Sequence, residues 1–437
     1  MSASRPVIVV ASFLYAPHRR WSSIVPKSAS VLIIVENLTV PLDRRVWQEA
    51  RTLRDAGHTV SVICPMGGKY TRSYEVLEGI HIFRHPMPFE ADGALGYLIE
   101  YSWALAWEFI LTIKAYFKVG FDVIQACNPP DLIFLVAGFW KYLFGKRFVF
   151  DHHDLNPELY EAKFGKRGFF HKLLMVLERW TFKAADVSIA TNGTFKKLAV
   201  ERGGMDANRV FVVRSIPDVS RFKRVVPNMA LRGGRKHVIG YVGIMGAQDG
   251  VDLLIEAMDD IVNVQKREDV GCVIVGSGTE LDKLQALAVA KGLQDHVTFT
   301  GFLAGDTLLA ALSSFDVGVI PDPKNIYNDK ISMNKAFEYM TLGIPFVQFD
   351  LVEGRNIAGD AALYAADNSV SDLARQIGRL CDDEALAIAI AKEGQARAKA
   401  LLQWDEEARQ LLAAYDAVLR PDAAQEHHAP GLSLSRH

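Results

Sequence analysis

Short apolar runs alternate with helical stretches along this chain, and the alternation occurs twice. Near the start, residues 31–35 form an apolar run, a helical pattern extends from Arg44 to a stop at Gly57, and residues 60–64 form the next run. A helix between two such runs predicts a βαβ unit with a parallel sheet. The repetition therefore predicts an α/β protein with two doubly wound halves. The other predicted strands are residues 121–127, 148–150, 187–190 and 210–213, then 237–242, 273–275, 297–302, 317–320 and 346–349.

The length of 437 residues exceeds what a single core usually supports, so two domains are expected. Residues 214–218, RSIPD, are a plausible hinge between them. Within the N-terminal extension, the apolar stretch 7–16 predicts a strand-like extension or a weak anchor, because no cleavage site follows it. The predicted divisions are an extension over 1–28, a first domain over 29–218, a second domain over 219–403, a last helix over 404–420 and a mobile tail over 421–437.

Composition and charge narrow the class of protein. Half of the residues are hydrophobic and 23% are charged, as in folded globular proteins. The four cysteines have no pair spacing, so neither a disulfide framework nor a metal site is expected from them. The net charge of −2 divides into +6 for residues 1–218 and −8 for the rest, so the first half is expected to face an anionic partner. The most apolar stretch, residues 94–119, is interrupted by charges, so no membrane span is predicted and a cytoplasmic location is expected.

Residues 331–345, ISMNKAFEYMTLGIP, predict a short buried helix with Ser332 as its N-cap. Lys335 and Glu338 lie three residues apart, on one face of this helix. Buried charges are costly unless they meet each other or a polar ligand. The pair is therefore either a structural ion pair or part of a nucleotide-sugar site. In such a site the carboxylate accepts hydrogen bonds from a ribose diol, while the ammonium and the helix N–H groups face the diphosphate.

Glycine-rich turns follow two predicted strands of the second half, at residues 243–250, GIMGAQDG, and at residues 276–278, GSG. Such turns allow backbone N–H groups to approach a diphosphate, although glycine turns also simply connect elements. The dinucleotide-binding fingerprint is excluded, because its third glycine would fall at Leu281.

The string DHHDLNPELY, residues 151–160, follows a predicted strand. Open α/β sheets place ligands at the carboxyl ends of their strands, and a histidine there can orient or deprotonate a hydroxyl. At least one of His152, His153 and Asp154 is therefore expected to act on an acceptor. The alternative is a polar loop in which Asp154 and Asn156 cap the next helix. Adjacent histidines point to opposite faces of a strand, so the pair is not a metal site.

The string from Ser332 to Pro345 resembles the SPxKxxEYMAxGxP signature of the retaining glycosyltransferases of family 4. The resemblance implies a GT-B fold, in which two Rossmann-like domains face each other across a cleft and the last helix crosses back to the first domain. It also implies that a hexosyl group is transferred from a nucleoside diphosphate sugar with retention of configuration. In that family the residue matching Glu338 binds the ribose and the one matching Lys335 holds phosphate. The chain has no Asp-x-Asp triplet, which agrees with a reaction that needs no metal or other cofactor.

This sequence departs from the family pattern in three places. A second upstream Glu is replaced by Lys330, and the Arg and Lys that clamp the phosphates are replaced by Ile244 and Gln248. The Gly-Gly pair of the first loop is absent from residues 37–43, so the acceptor contacts differ. The charge of the diphosphate is therefore expected to fall on Lys335, Lys330 and the helix dipole.

The resemblance and the motifs together give the candidate site. The predicted catalytic residues are Lys335, Glu338, His153, Asp154 and His152. The predicted donor-binding residues are Gly243, Gly246, Gln248, Gly276, Gly278, Gly301, Phe302, Lys330, Ser332, Met333, Asn334, Lys335 and Glu338, with the base held near Gly301 and Phe302. The predicted acceptor-side residues are Asn37, Asp43 and Asn128.

Aromatic and basic residues interleave in residues 139–147 and 164–172, which is typical of a surface that lies on lipid headgroups. The alternative is that half of these residues form core-facing helix. No nucleic-acid reader motif is present, so no nucleic-acid partner is expected. The expected acceptor is a polyprenyl-diphosphate-linked saccharide of exopolysaccharide, capsule or O-antigen synthesis, at the inner face of the plasma membrane. The alternatives are a sugar-nucleotide epimerase of the same architecture and a non-catalytic partner that binds nucleotide sugar.

Overall fold

The computed structural model describes residues 28–86, 93–217, 222–366 and 368–420, except for the side chains of residues 93–101. The predicted extension before residue 28, with its apolar stretch, and the predicted tail from residue 421 lie outside the described residues. The elements of the first sheet and its helices are β1 (Ser30–Ile34), α1 (Arg44–Asp55), β2 (Thr59–Pro65), β3 (Tyr74–Leu77), β4 (Ile80–His85), α2 (Gly93–Lys118), β5 (Val123–Cys127), α3 (Phe134–Phe144), β6 (Arg147–His152), α4 (Asn156–Phe164), α5 (Phe169–Ala184), β7 (Val187–Ala190), α6 (Gly193–Glu201) and β8 (Val210–Val212).

The second half of the chain continues the alternation. Its elements are β9 (His237–Val242), α7 (Val251–Asp259), β10 (Val270–Val275), α8 (Leu281–Ala290), β11 (Val297–Gly301), α9 (Gly305–Leu312), β12 (Val317–Ile320), α10 (Asn334–Leu342), β13 (Phe346–Phe349), α11 (Val352–Ala358), β14 (Leu363–Ala365), α12 (Val370–Asp382), α13 (Glu384–Leu401) and α14 (Trp404–Leu419).

The first sheet has the strand order β3-β4-β2-β1-β5-β6-β7-β8. Side-chain alternation along β1 sends Val31 and Ile33 into the core on one face and Leu32 and Ile34 into the core on the other. All pairs in this sheet are parallel except β3 with β4, which pair antiparallel. These two strands are absent from the sequence prediction. They are joined by a two-residue turn, residues 78–79, in which both residues have positive φ, the geometry of tight hairpins.

The second sheet has the order β11-β10-β9-β12-β13-β14, and all its pairs are parallel. It also has a hydrophobic core on each face. The direction of winding changes between β9 and β12, and open α/β sheets bind ligands at such a switch point. The helix with the family signature, α10, directly follows β12. The predicted fold of two doubly wound α/β domains is confirmed.

The last helix, α14, packs on the first sheet. Its buried apolar residues belong to the same core as β1 and α1. The hydroxyl of Tyr415 donates to Oε1 of Gln125 on β5 at 2.7 Å, and Nε1 of Trp404 donates to Oγ1 of Thr52 on α1 at 2.9 Å. The C-terminal segment therefore ties the second domain back to the first.

The carboxyl ends of the two sheets face each other across a cleft. Loops that follow β6 and β7 in the first domain contact the segment between β12 and α10 in the second. The side-chain hydrogen bonds across the cleft include Tyr327 to Asp154 at 3.2 Å, Lys330 to Glu158 at 2.8 Å and Asn192 to Ser332 at 3.0 Å. Residues from both domains therefore meet where ligands of such sheets bind.

Three neighbouring helices of the first domain, α2, α3 and α5, expose large apolar side chains. The rings of Tyr116 and Phe144 join α2 to α3, with centroids 5.9 Å apart, and those of Phe134 and Trp180 join α3 to α5 at 6.1 Å. We call the exposed set the aromatic face, whose members are 47% to 83% exposed: Phe117, Tyr142, Leu143, Phe144, Phe169, Phe170 and Trp180. No helix in the described parts of the chain combines the length and the apolar character of a membrane span.

Candidate active site

Helix α10 is buried along most of its surface. Ala336, Phe337 and Met340 are at most 2% exposed, and the hydroxyl of Tyr339 donates to the carbonyl of Gly240 on β9 at 3.1 Å. The helix ends at Gly343, whose φ of 63° lies in the left-handed region that glycine favours. Packing and one hydroxyl therefore hold the polar residues of this helix in a fixed orientation.

The helix starts one residue later than predicted. Met333 occupies the N-cap position and provides no side-chain hydrogen bond. Ser332 is not the cap, because its hydroxyl accepts a hydrogen bond from Nδ2 of Asn192 in the first domain at 3.0 Å. No side chain caps the first turn of α10. The N–H of Ala336 donates to the Met333 carbonyl at 3.0 Å, and those of Asn334 and Lys335 are left for an anion.

Lys335 lies in the first turn of α10 and is 9% exposed. Its Nζ donates to Oδ2 of Asp322 at 2.7 Å and lies 4.8 Å from the centroid of the Tyr241 ring. Burial lowers the pKa of Lys335, but the charges of Asp322 and Asp249 outweigh burial and raise it overall. The ammonium group therefore stays charged beside the glycine-rich loop.

Glu338 is one turn further along the same helix and is 6% exposed. Its Oε1 accepts a hydrogen bond from Nη2 of Arg44, the first residue of α1, at 3.3 Å. Burial raises the pKa of the Glu338 carboxyl, and the cations Arg44 and Lys335 oppose that rise. The interpretation of Lys335 and Glu338 as one mutual structural ion pair is wrong, because each has a different partner.

The predicted glycine-rich turns lie side by side at the carboxyl edge of the second sheet. Gly243 N donates to Val275 O, and Gly276 N donates to Gly301 O, each at 3.0 Å. A Cβ atom on Gly276 would lie 1.8 Å from Gly243 O, so no larger residue fits between the loops. A Cβ on Gly278 would lie 2.4 Å from Met245 O. The structure thus brings the predicted glycines together and gives them a packing role.

Gly243 lies close to the side chain of Lys335 on α10. A Cβ atom on Gly243 would lie 3.6 Å from Cε of Lys335. Further along the same loop, a carboxyl oxygen of Asp249 accepts hydrogen bonds from Gly246 N at 2.8 Å and from Nε2 of Gln248 at 3.1 Å. Gln248 is thus directed to Asp249, and burial raises the pKa of that carboxyl to about 6.

The other predicted donor-binding residues differ in how exposed they are and in what they contact. Gly301, Phe302 and Asn334 face open space or solvent, with Phe302 76% exposed, and Met333 is buried beside the start of α10. The expectation that Lys330 meets the donor phosphates is corrected. Its Nζ donates to Glu158 of the first domain at 2.8 Å, and Glu158 also accepts from Arg202 at 2.6 Å. Lys330 is therefore part of an ion-pair network that bridges the domains.

The two histidines of the DHHD string have different environments. His152 is fully buried, its ring packs near Phe150, Phe182 and Phe195 with centroids 4.8 to 5.3 Å apart, and burial lowers its pKa to about 3. The prediction that His152 acts on an acceptor is corrected, because a neutral core side chain does not reach the cleft.

His153 and Asp154 lie at the cleft. Nε2 of His153 lies 2.8 Å from Oδ2 of Asp151, and its side chain is 14% exposed. Burial lowers the pKa of His153, but the Asp151 carboxylate outweighs burial and raises it overall. Asp154 Oδ1 accepts from the hydroxyl of Tyr327 across the cleft at 3.2 Å. Neither Asp154 nor Asn156 caps α4, because Leu155 is the N-cap residue and gives no side-chain bond, so the capping alternative is wrong.

A buried polar network supports His153 from below. Arg45 is 6% exposed, and its Nη2 donates to Oδ1 of Asp151 at 2.8 Å. Cys127, Asp151 and His153 bring metal-type ligand atoms within 4.8 Å of one another, which no other group in the described residues does. The guanidinium beside them opposes a cation, so these residues do not fit a metal ion.

The predicted acceptor-side residues have mixed roles. Asn37 is exposed in the loop after β1. Asp43 caps α1, because its Oδ1 accepts from Val46 N at 3.0 Å. Asn128 is 1% exposed; its Nδ2 donates to Asp131 and to the Asp154 carbonyl, and its Oδ1 accepts from His153 N at 2.7 Å. Asn128 is therefore fully used in shaping the loop, and it does not face an acceptor.

The structure adds three residues that the sequence interpretation does not include in the site: Arg44, Asp322 and Asp249. Asp322 is the partner of Lys335, and Arg44 is the partner of Glu338. Asp322 lies two residues after the end of a predicted strand, and this position is a signal that could have identified it. Arg44 carries no such local signal, because its partner lies in the other domain.

Two family models match the chain. The model described as "Glycosyltransferase Family 4" matches residues 42–221, and the one described as "Glycosyl transferases group 1" matches residues 236–383. The first match covers the first sheet from α1 onward, and the second covers the second sheet with α10.

Curated relatives have related names. The chain is 26% identical over 373 residues to the 2-deoxystreptamine glucosyltransferase of Streptomyces kanamyceticus, covering 82% of this chain and 88% of that protein. It is 26% identical over 328 residues to the 2-deoxystreptamine N-acetyl-D-glucosaminyltransferase of Streptomyces fradiae, covering 70% and 73%. The sequence likeness thus extends across both domains.

Solved structures share the fold. Sucrose-phosphate synthase from Thermosynechococcus elongatus superposes with a TM-score of 0.72 at 19% identity, covering 90% of this chain and all of that one. HepE of Anabaena in complex with UDP and glucose superposes with a TM-score of 0.68 at 18% identity, covering 89% of this chain and all of that one. With two facing Rossmann-like domains and glycosyltransferase family models that match in both, the chain is a glycosyltransferase with the GT-B fold.

Proposed function

We propose that this enzyme transfers a hexosyl group from a UDP- or GDP-linked sugar, with retention of configuration, to a lipid-linked saccharide. The observation that carries the donor assignment is the pair of buried charges on α10: Lys335 beside the glycine-rich loop and Glu338 one turn further on. A carboxylate accepts two hydrogen bonds from the vicinal hydroxyls of a ribose. An ammonium and uncapped helix N–H groups bind the diphosphate. One helix therefore addresses both halves of a nucleoside diphosphate.

Departure of the nucleoside diphosphate builds negative charge on its β-phosphate. Lys335 and the first turn of α10 oppose that charge, and preorganised groups of this kind stabilise a transition state strongly because they need no reorganisation. The leaving phosphate takes the proton of the acceptor hydroxyl on the same face of the sugar, so no protein nucleophile is required. On the first-domain side, Asp151 and Arg45 both contact Nε2 of His153, which leaves its Nδ1 for a sugar hydroxyl. No divalent ion enters this scheme.

A donor panel tests the reaction. The full chain is incubated with UDP- and GDP-sugars, with and without a polyprenyl-diphosphate-linked saccharide, in the presence of excess chelator. We expect release of free nucleotide from one donor class only when acceptor is present, at a rate unaffected by the chelator. Nuclear magnetic resonance of the product should show the anomeric configuration of the donor. A product with inverted configuration would contradict retention, and loss of activity with chelator would contradict metal independence.

The same panel separates the two alternatives and includes a second type of acceptor. An isomerised donor with no new glycoside would support an epimerase, and the absence of any turnover would support a non-catalytic binding partner. The relatives named above are a 2-deoxystreptamine glucosyltransferase and a 2-deoxystreptamine N-acetyl-D-glucosaminyltransferase. The panel therefore includes 2-deoxystreptamine as a small soluble acceptor. Transfer to it without transfer to the lipid-linked saccharide would contradict the lipid-linked assignment.

We also propose that the enzyme acts at the inner, cytoplasmic face of the plasma membrane in exopolysaccharide, capsule or O-antigen synthesis, bound through its aromatic face. Exposed cations surround that face on the same helices, among them Lys114, Lys118, Lys172 and Arg179. Apolar rings next to cations suit the boundary between acyl chains and anionic headgroups. The two interleaved segments contain four cations that are expected to contact lipid: Lys146, Arg147, Lys166 and Arg167. Lys146, Arg147 and Arg167 are paired with Asp122, Asp186 and Glu161, so the rings and the helix cations are the better test residues.

Replacing three rings of the aromatic face, as Phe117→Ser, Tyr142→Ser and Phe169→Ser together, is expected to lower partitioning into vesicles of anionic phospholipid at least about tenfold, because the apolar area that inserts is lost. Sedimentation with vesicles measures this. The matched control replaces exposed apolar residues of the second domain, Val264→Ser with Val289→Ser, which are 72% and 64% exposed, and should leave partitioning unchanged. Equal loss in both variants, or in neither, would contradict the assignment of this face.

A further inference from the structure

The candidate donor site of the second domain has an unusual charge balance for a nucleoside diphosphate. Lys335 is paired at 2.7 Å with Asp322, and Asp249 and Glu338 add two more carboxyl groups nearby. The loop over residues 243–250 contains no lysine or arginine. Among the described residues around this site, the second domain therefore offers one cation, Lys335, whose charge Asp322 already neutralises. A nucleoside diphosphate carries about two negative charges, so it needs a further cation.

Arg44 of the first domain is placed to supply that charge. It is the first residue of α1, and its Nη2 reaches across the cleft to Oε1 of Glu338 at 3.3 Å. The side chain is 57% exposed, and in the described part of the chain it makes no other hydrogen bond. A guanidinium has five N–H donors in a fixed fork, so most of its donors are still available to a ligand. The guanidinium therefore lies beside Glu338, which is one helical turn from Lys335 on α10.

We infer that Arg44 is a second phosphate-binding cation of the donor site, contributed across the cleft by the first domain. This inference rests on the proposed donor function. When a ribose diol takes the Glu338 carboxylate, the guanidinium exchanges that partner for the diphosphate. Fork-shaped contacts of arginine with phosphate are short and charge-assisted, and they are stronger than the 3.3 Å bond that is given up.

A simpler role makes the opposite prediction. If Arg44 only occupies Glu338 as a latch, it competes with the ribose, and its removal would free the carboxylate and tighten nucleotide binding. If Arg44 binds phosphate, its removal weakens binding of ligands with a β-phosphate and has little effect on ligands without one. The affinity for diphosphates relative to monophosphates therefore distinguishes the two roles.

The test is calorimetric titration of the full chain with UDP, GDP, UMP and GMP. For Arg44→Gln we expect affinity for the preferred diphosphate to fall about 10- to 100-fold, affinity for the matching monophosphate to fall less than about threefold, and Arg44→Lys to lie between. The matched control is Arg51→Gln on the same helix, whose cation pairs with Glu78 at 3.1 Å, and it should bind as the parent does. A thermal scan of each variant shows that the fold is retained.

The outcomes are distinguishable. Parent protein that binds neither diphosphate overturns the proposed donor function and this inference with it. Parent protein that binds, together with an Arg44→Gln variant that binds the diphosphate equally well or more tightly, overturns the inference alone, and tighter binding supports the latch. An equal loss for diphosphate and monophosphate also overturns it, because the contact would then not be with the β-phosphate.

Discussion

Replacing Lys335 by methionine is expected to lower the rate of sugar transfer by about 10²- to 10³-fold, because the ammonium that opposes charge on the departing phosphate is lost. The same change should lower the free energy of unfolding by about 3–5 kcal/mol, since Asp322 is 1% exposed and would remain as an uncompensated buried carboxyl. Steady-state kinetics and denaturant unfolding measure the two effects separately.

A double variant separates chemistry from folding. Lys335→Met with Asp322→Asn removes both charges of the buried pair, so we expect most of the stability to return while activity stays low. The matched control is Lys283→Met, which breaks a surface pair with Glu280 at 2.9 Å in a lysine that is 76% exposed. Such a pair contributes at most about 1 kcal/mol, so this control should change neither property much. Activity that returns in the double variant would show that Lys335 is purely structural.

Replacing Glu338 by glutamine is expected to reduce kcat/KM for the donor by at least about 10²-fold. The carboxylate is placed to accept two hydrogen bonds from the ribose, and hydrogen bonds to a charged group contribute about 1.5–3 kcal/mol each. An amide of the same shape presents one acceptor and one donor, so it cannot accept from both hydroxyls through its oxygen with equal strength. Steady-state kinetics with the preferred nucleotide sugar measure the loss.

The ligand provides the control for this prediction. A 2′-deoxy nucleoside diphosphate lacks one hydroxyl of the diol, so the parent enzyme should bind it about tenfold or more weakly than the ribose form. The Glu338→Gln variant should discriminate much less between the two. A surface change, Glu256→Gln on α7, should preserve the discrimination. If the Glu338→Gln variant still discriminates as the parent does, Glu338 does not contact the ribose.

Much of the fold follows from local pattern. Runs of β-branched residues bounded by turns are buried strands wherever they lie, so β1, β5 and β9 occur where the pattern predicts them. The strands β3 and β4 escape this reasoning for different reasons: β3 is short and partly exposed, whereas β4 is buried but interrupts its apolar residues with His81, Arg84 and His85. Their pairing depends on a hairpin turn through Glu78, a residue that does not usually adopt positive φ.

The histidines of the DHHD string show a second limit of prediction from the sequence. Alternation predicts that His152 and His153 point in opposite directions, but it does not say which direction is the core. The answer depends on Phe182 and Phe195, which come from α5 and α6 and enclose His152. His153 is left at the cleft with Asp151, and Arg45 of α1 fixes the charge of that carboxylate.

The sequence by itself determined the two doubly wound domains and the helix that presents Lys335 and Glu338 on one face, because both depend on spacings within a few residues. Only the tertiary structure decided the partners of these charges. Asp322 is 13 residues from Lys335, and Arg44 is 294 residues from Glu338. The physical reason is that the free energy of a buried charge depends on whatever groups the fold brings within a few ångströms of it. Strand order and domain packing set that distance.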